Sequence, residues 1–85
     1  MIVSVIDAKY IDGFKINILL NIKENDSTRV VEKVVDMSKY LQSKKDTGVF
    51  SPLKDLSYFK NFTLNSNTIE WENGADIAPE RFLEI

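Results

Sequence analysis

From residue 14 to residue 23 the chain reads FKINILLNIK. Phe14, Ile16, Ile18, Leu20 and Ile22 share one parity, Lys15, Asn17, Asn21 and Lys23 the other, and only Leu19 breaks the alternation. A helix would scatter those apolar residues around its circumference, whereas an extended chain sends every second side chain to one face. The spacing predicts a half-buried strand. Residues 2–11, IVSVIDAKYI, predict another, but Val3 and Val5 stand on one parity and Ile2 and Ile6 on the other. A strand apolar on both faces is expected at the centre of a sheet or beneath a helix. Asp12-Gly13, between the two, is a hairpin turn signal. After a polar loop at residues 24–27 a third strand is predicted over residues 28–37, where Val31, Val35 and Met37 compete with Val30 and Val34. A β-bulge near Glu32-Lys33 would bring the two sets into phase. The first half of the chain therefore reads as a three-stranded antiparallel meander.

The pattern then changes. Ser38 is placed to cap a short helix with Met37, Tyr40 and Leu41 on its apolar side. Residues 44–47 form a charged loop, and Gly48 is expected in a conformation other residues avoid. Ser51-Pro52 is a helix start, since proline at the first helical position gives up an N–H that has no partner there. Leu53, Leu56 and Phe59 then make a stripe at three-residue spacing, and the helix should end near Lys60 or Asn61. Residues 62–65 and 68–71 predict a second hairpin around Ser66-Asn67, with Leu64 opposite Ile69 and Phe62 opposite Trp71, all four on one face. Asn73-Gly74 supplies a tight turn requiring positive φ. Pro79 opens a final turn, PERFLEI, with Ile77 and Phe82 spaced as a hydrophobic staple. The elements add up to an α+β fold: an antiparallel sheet of about five strands, built from the meander and the C-terminal hairpin, with two short helices and a short terminal helix.

Eighty-five residues leave room for one domain and one core. With 44% hydrophobic and 28% charged residues the chain is ordinary globular material. No apolar run approaches the roughly 20 residues of a membrane span. The start, MIVSVIDAKY, reads as a strand and not as a signal peptide. With no cysteine, a reducing, cytoplasmic setting is expected. The net charge of −2 conceals an asymmetry. Residues 1–65 carry ten Lys or Arg against eight acids, and residues 66–85 carry one Arg against Glu70, Glu72, Asp76, Glu80 and Glu84. An acidic end makes direct nucleic-acid binding a poor expectation.

Absences narrow the chemistry further. Without His or Cys, neither a Ser-His-Asp nor a Cys-His arrangement can form within one chain, and zinc and iron lose their favoured ligands. No Asp-x-Asp-x-Asp run offers an oxygen cage for Ca²⁺. Glu70 and Glu72, two apart on a strand, could work as an acid–base pair, but they read better as the solvated side of the hairpin that carries Ile69 and Trp71. Asp55 and Asp76 could be recognition carboxylates; the simpler reading has each accepting backbone N–H bonds in a turn or at a helix start. Trp71 with Phe50, Phe59, Phe62 and Phe82 reads as core more than as a stacking surface. Lys44, Lys45 and Lys54, without interleaved aromatic or Arg residues, read as a solvated edge. Gly48 and Gly74 are isolated, so no phosphate-cradling loop is present.

Two motifs stand out, GVFSPLKD at residues 48–55 and WENGADIAPE at residues 71–80. Their order, with Phe59 and a short hairpin between them, resembles the small bacterial family called domain of unknown function 2442. The matching positions are Gly48, Val49, Phe50, Pro52, Leu53, Asp55, Trp71, Asn73, Gly74, Asp76 and Pro79, and Asp36 matches the acid ending the family's third strand. The likeness spans essentially the whole chain and departs at residues 23–33, which are longer than the usual pattern. It implies a compact α+β fold with an antiparallel sheet and implies no activity. Some members look like partners of neighbouring small proteins, and others are joined to DNA-binding helix-turn-helix segments, of which this chain shows none. The expectation is a non-catalytic module that binds another small protein or a second copy of itself. No cofactor, metal, membrane or small-molecule ligand is expected. Gly48, Val49, Phe50, Asp55, Asn73, Gly74 and Asp76 form the candidate partner surface, and a free sheet edge in the third strand is a second docking candidate. The alternative is a regulatory module associated with DNA-binding or toxin–antitoxin-like partners. An enzyme using carboxylates alone comes third.

Overall fold

The strict alternation of residues 14–22 sets the architecture. In the computed structural model, which describes residues 1–44, 48–65 and 67–85, Ile16, Ile18, Leu20 and Ile22 are all buried. They lie on β2 (Lys15–Glu24), the central strand of a three-stranded antiparallel sheet between β1 (Ile2–Asp12) and β3 (Ser27–Asp36). The first strand is thus an edge of the sheet, not its centre. Its two apolar parities have another cause, because β1 carries two register shifts against β2, with Ile6 and Ile11 as the extra residues. Both isoleucines are exposed, while Val3 and Val5 are buried. A bulge adds one residue to one strand and turns the following side chains over.

No bulge interrupts β3. Its register with β2 runs one for one from Lys15↔Asp36 to Glu24↔Ser27. The bulge expected near Glu32-Lys33 is absent because the odd parity alone fills the core side, with Val35 and Met37 buried and Val31 half-buried. Val30 and Val34 stay on the open face at 56% and 57% exposure.

After β3 come α1 (Ser38–Gln42), a 3₁₀ turn at Pro52–Lys54, α2 (Leu56–Phe59), the hairpin β4 (Thr63–Asn65) and β5 (Thr68–Glu70), and a terminal 3₁₀ turn at Pro79–Leu83. The five strands therefore fall into a sheet of three and a hairpin of two. Backbone joins them where the Val5 N–H donates to the Asn67 carbonyl at 2.8 Å. Ser38 does not cap α1: the cap is Met37, and the Asp36 carboxylate accepts from both the N–H and the hydroxyl of Ser38. The stripe of Leu53, Leu56 and Phe59 is split because Asp55 is extended (φ −87°, ψ 121°) and starts a new helix. Leu53 and Phe59 are buried, and Leu56 faces out. In the hairpin Leu64 pairs with Ile69, but Leu64 is exposed while Ile69 is buried. Ser66 and residues 45–47, parts of the expected hairpin turn and charged loop, lie outside the described residues.

The buried apolar side chains of these later elements lie on one side of the sheet. Leu41, Leu53, Phe59, Ile69, Trp71, Ile77 and Phe82 form a single core with the inner residues of β1, β2 and β3. Ile77 and Phe82, the two ends of the expected staple, are both buried there. The other face of the sheet carries no such layer, and the molecule measures 42 × 23 × 21 Å.

Candidate functional site

The motif residues are organised by Trp71. Its ring is buried 5.8 Å from that of Phe59 and 6.1 Å from that of Phe62. Its indole N–H donates to the Phe59 carbonyl at 2.7 Å, which satisfies a polar group that would be costly to bury alone. Its backbone N–H takes the Ala75 carbonyl at 2.8 Å, and its carbonyl accepts from Gly74 N–H at 2.9 Å. A tight loop therefore leaves the strand at Trp71 and returns at Ala75. Gly74 sits in it at φ +87°, where side-chain-bearing residues are strained.

Asn73, at the tip of that loop, ties the two motifs together. Its side-chain amide donates to the Val49 carbonyl at 2.8 Å, its Oδ1 accepts from Ala75 N–H at 3.1 Å, and its own N–H donates to the Tyr58 hydroxyl at 2.9 Å. Of the seven candidate residues the structure thus brings Val49 and Asn73 into direct contact, with Gly74 beside them. Gly48 is exposed at φ +100°. Phe50 is half-buried, edge-on to Tyr40 at 6.0 Å, and the Lys44 ammonium lies 5.2 Å from its ring. Asp55 caps α2, accepting from Ser57 N–H at 2.9 Å and from the Ser57 hydroxyl at 2.7 Å. Asp76 is exposed and its backbone bridges to Glu70. Sequence reading missed Tyr58. Only its position on α2, one residue before the buried Phe59, could have hinted that its hydroxyl reaches the loop.

These bonds engage the side chains of Asn73 and Asp55 within the chain. The hydrogen bonds from Ser57 hold the Asp55 carboxyl below the ordinary carboxylate pKa, and those from Ser38 do the same for Asp36. A general acid at neutral pH needs the opposite shift. Two open grooves flank α1. One, of about 390 Å³, is lined by Asp36, Lys39, Tyr40, Arg81, Glu84 and Ile85, and the other, of about 310 Å³, by Phe14, Ser38, Leu41, Gln42 and Lys54. The charges of the first are partly matched internally, with Arg81 3.1 Å from Glu84 and Asp36 held by Ser38. Among the described residues no group of three or more carboxylates is placed to hold a metal ion. No helix among them is long and apolar enough to cross a membrane.

Residues 5–85, both motifs included, match the family described as Protein of unknown function (DUF2442). The chain belongs to that family. No curated protein and no solved structure matches it. The segments at residues 48–55 and 71–80, both inside the matched stretch, are thus the two halves of one internal tie, Val49 to Asn73, with Trp71 beneath it.

A second candidate surface is the outer edge of β3. Met37 N–H donates to the Phe14 carbonyl at 2.8 Å, continuing the β2–β3 register. In an antiparallel pair bonded and non-bonded positions alternate. The odd-numbered residues of β3 therefore bond to β2, and the N–H and C=O groups of Thr28, Val30, Glu32 and Val34 point away from it. Among the described residues none of these groups has a hydrogen-bond partner.

Proposed function

We propose that this chain is a non-catalytic protein-binding module of the bacterial cytoplasm, and that its docking element is the free edge of β3. The observation that carries the reading is the row of outward N–H and C=O groups along a strand ten residues long, with neither bulge nor proline. At about 3.3 Å per residue such an edge offers roughly 33 Å of template. Sheet edges are commonly shortened, bulged or covered to prevent uncontrolled pairing. In this chain the bulges lie in β1, on the opposite side of β2. A cytoplasmic setting agrees with a chain that has no cysteine to oxidise.

The test uses Val30→Pro. Proline removes an N–H that points to solvent, which an edge strand tolerates. Proteins captured from a lysate by the parent chain and by this variant are compared by quantitative mass spectrometry. The reading expects a partner retained by the parent and lost by the variant at unchanged fold. Equal capture by both would contradict it.

A further inference from the structure

Which strand that edge takes can be read from the charges along β3. The inner parity holds Arg29 and Lys33 and no acid, and the outer parity holds Glu32 and Asp36 and no base. Directly opposite residues of antiparallel strands place their side chains on the same face. Because only even-numbered residues present bonding groups at the free edge, β3 pairing with a second copy of itself would match even with even and odd with odd. Wherever charges then met they would be alike. Of the two longest such registers, equal in length, one sets Glu32 against Glu32 and the other Arg29 against Lys33, and a shorter neighbour sets Lys33 against Lys33. A register centred on Val30 escapes this but shortens the shared ladder to residues 27–33.

Two of the four charges are already engaged on their own chain. The Lys33 ammonium donates to the carbonyls of Phe82 at 2.9 Å and Leu83 at 3.2 Å. The Asp36 carboxylate holds Ser38. An inward lysine on an edge strand ordinarily repels an incoming strand, but this one is drawn onto the terminal 3₁₀ turn. The Arg29 side chain is exposed and, among the described residues, its guanidinium has neither an ion pair nor a hydrogen bond. Glu32 accepts one bond, from the Asn17 amide at 3.1 Å through Oε2. The charges available to a partner are therefore Arg29 on the inner face and Glu32 on the outer, with exposed Val30 and Val34 on either side of Glu32.

We propose that the β3 edge takes an antiparallel strand from a different protein, one that sets an acid opposite Arg29, a Lys or Arg opposite Glu32, and apolar residues opposite Val30 and Val34. Read from its N-terminus that strand runs apolar, polar, basic, any residue, apolar, acidic. This rests on β3 being the docking edge and specifies what docks there.

The experiment titrates the full chain into two labelled peptides and follows fluorescence anisotropy, and analytical ultracentrifugation of the chain alone reports whether it pairs with itself. One peptide carries Val-Thr-Lys-Val-Val-Glu and the other the charge-swapped Val-Thr-Glu-Val-Val-Lys. The matched peptide is expected to bind about tenfold more tightly than the swapped one, as two opposite-charge pairs replace two like-charge pairs. High salt should shrink that preference. Glu32→Lys with Arg29→Glu, both exposed positions, should reverse it, and Val30→Pro should abolish binding of every peptide. Equal affinity for matched and swapped peptides overturns the charge rule while leaving the edge as a docking site. Dimerisation of the free chain that Val30→Pro abolishes makes a second copy the occupant and overturns the proposal. Binding of no peptide, or binding that survives Val30→Pro, overturns both the proposal and the reading beneath it.

Discussion

Trp71 and Gly74 show how single residues fix this domain. Trp71→Ala removes the largest buried side chain and should cost about 3–5 kcal/mol. Trp71→Phe keeps much of the packing but strands the Phe59 carbonyl that the indole N–H serves, at about 1–3 kcal/mol. Denaturant titration separates the two, and an alanine variant that melts within a few degrees of the parent would contradict the packing account. A Cβ added at Gly74 meets nothing within 4 Å, so any penalty there comes from its φ of +87° alone. Gly74→Val should cost about 1–3 kcal/mol and Gly74→Asn clearly less; equal effects would place the cause elsewhere. Asp36 and Asp55 make the acid limb of stability testable. In both, serine hydrogen bonds favour the charged carboxylate and hold the folded pKa below the ordinary aspartate value. Their contribution is therefore present above about pH 4 and lost as pH falls through the lowered folded values. Thermal melts from pH 6 to pH 2 should show stability falling on acidification, and Asp36→Asn with Asp55→Asn should flatten that fall.

At the scale of elements, β2 was legible because its two faces differ in every residue but one. The hairpin register Leu64↔Ile69 was legible too, since a short loop and apolar partners leave little choice. β1 and β3 were less so. Each carries apolar residues on both parities, and sequence alone does not say whether a bulge or an exposed valine resolves the conflict. The structure uses both solutions: bulges at Ile6 and Ile11 in β1, exposed Val30 and Val34 in β3. The break at Asp55 was hidden because the stripe of Leu53, Leu56 and Phe59 satisfies helical spacing. Only the affinity of aspartate for a helix start overrides that stripe. The parity of β3 gives a paired prediction. Val30→Pro, whose lost N–H faces solvent, should change stability little, whereas Val31→Pro, whose N–H bonds β2, should lose about 3 kcal/mol or more. Similar losses in the two variants, measured by denaturant titration, would mean that the parity is wrong.

Over the whole molecule, the motif residues and the proposed docking edge lie apart. The candidate residues that family resemblance singled out largely hold the C-terminal half together: Asn73 spans to Val49, Asp55 starts a helix, and Gly74 closes a loop. That tie was not legible, because no spacing rule links residues 24 positions apart across two loops. The open edge was legible in outline, since a meander of three strands must leave edges, but which parity faces out needed the β2–β3 register. A sheet layered on one face only, with one long unbulged edge, would let the proposed docking strand stay part of a folded domain. Residue-resolved hydrogen exchange along β3, with and without a captured partner, tests that claim most directly. The account predicts slow exchange at Val31, Lys33 and Val35 and fast exchange at Val30, Glu32 and Val34 in the free chain, the fast set becoming protected when the partner binds. Protection of both sets in the dilute free chain, or a partner that leaves the fast set fast, would contradict it.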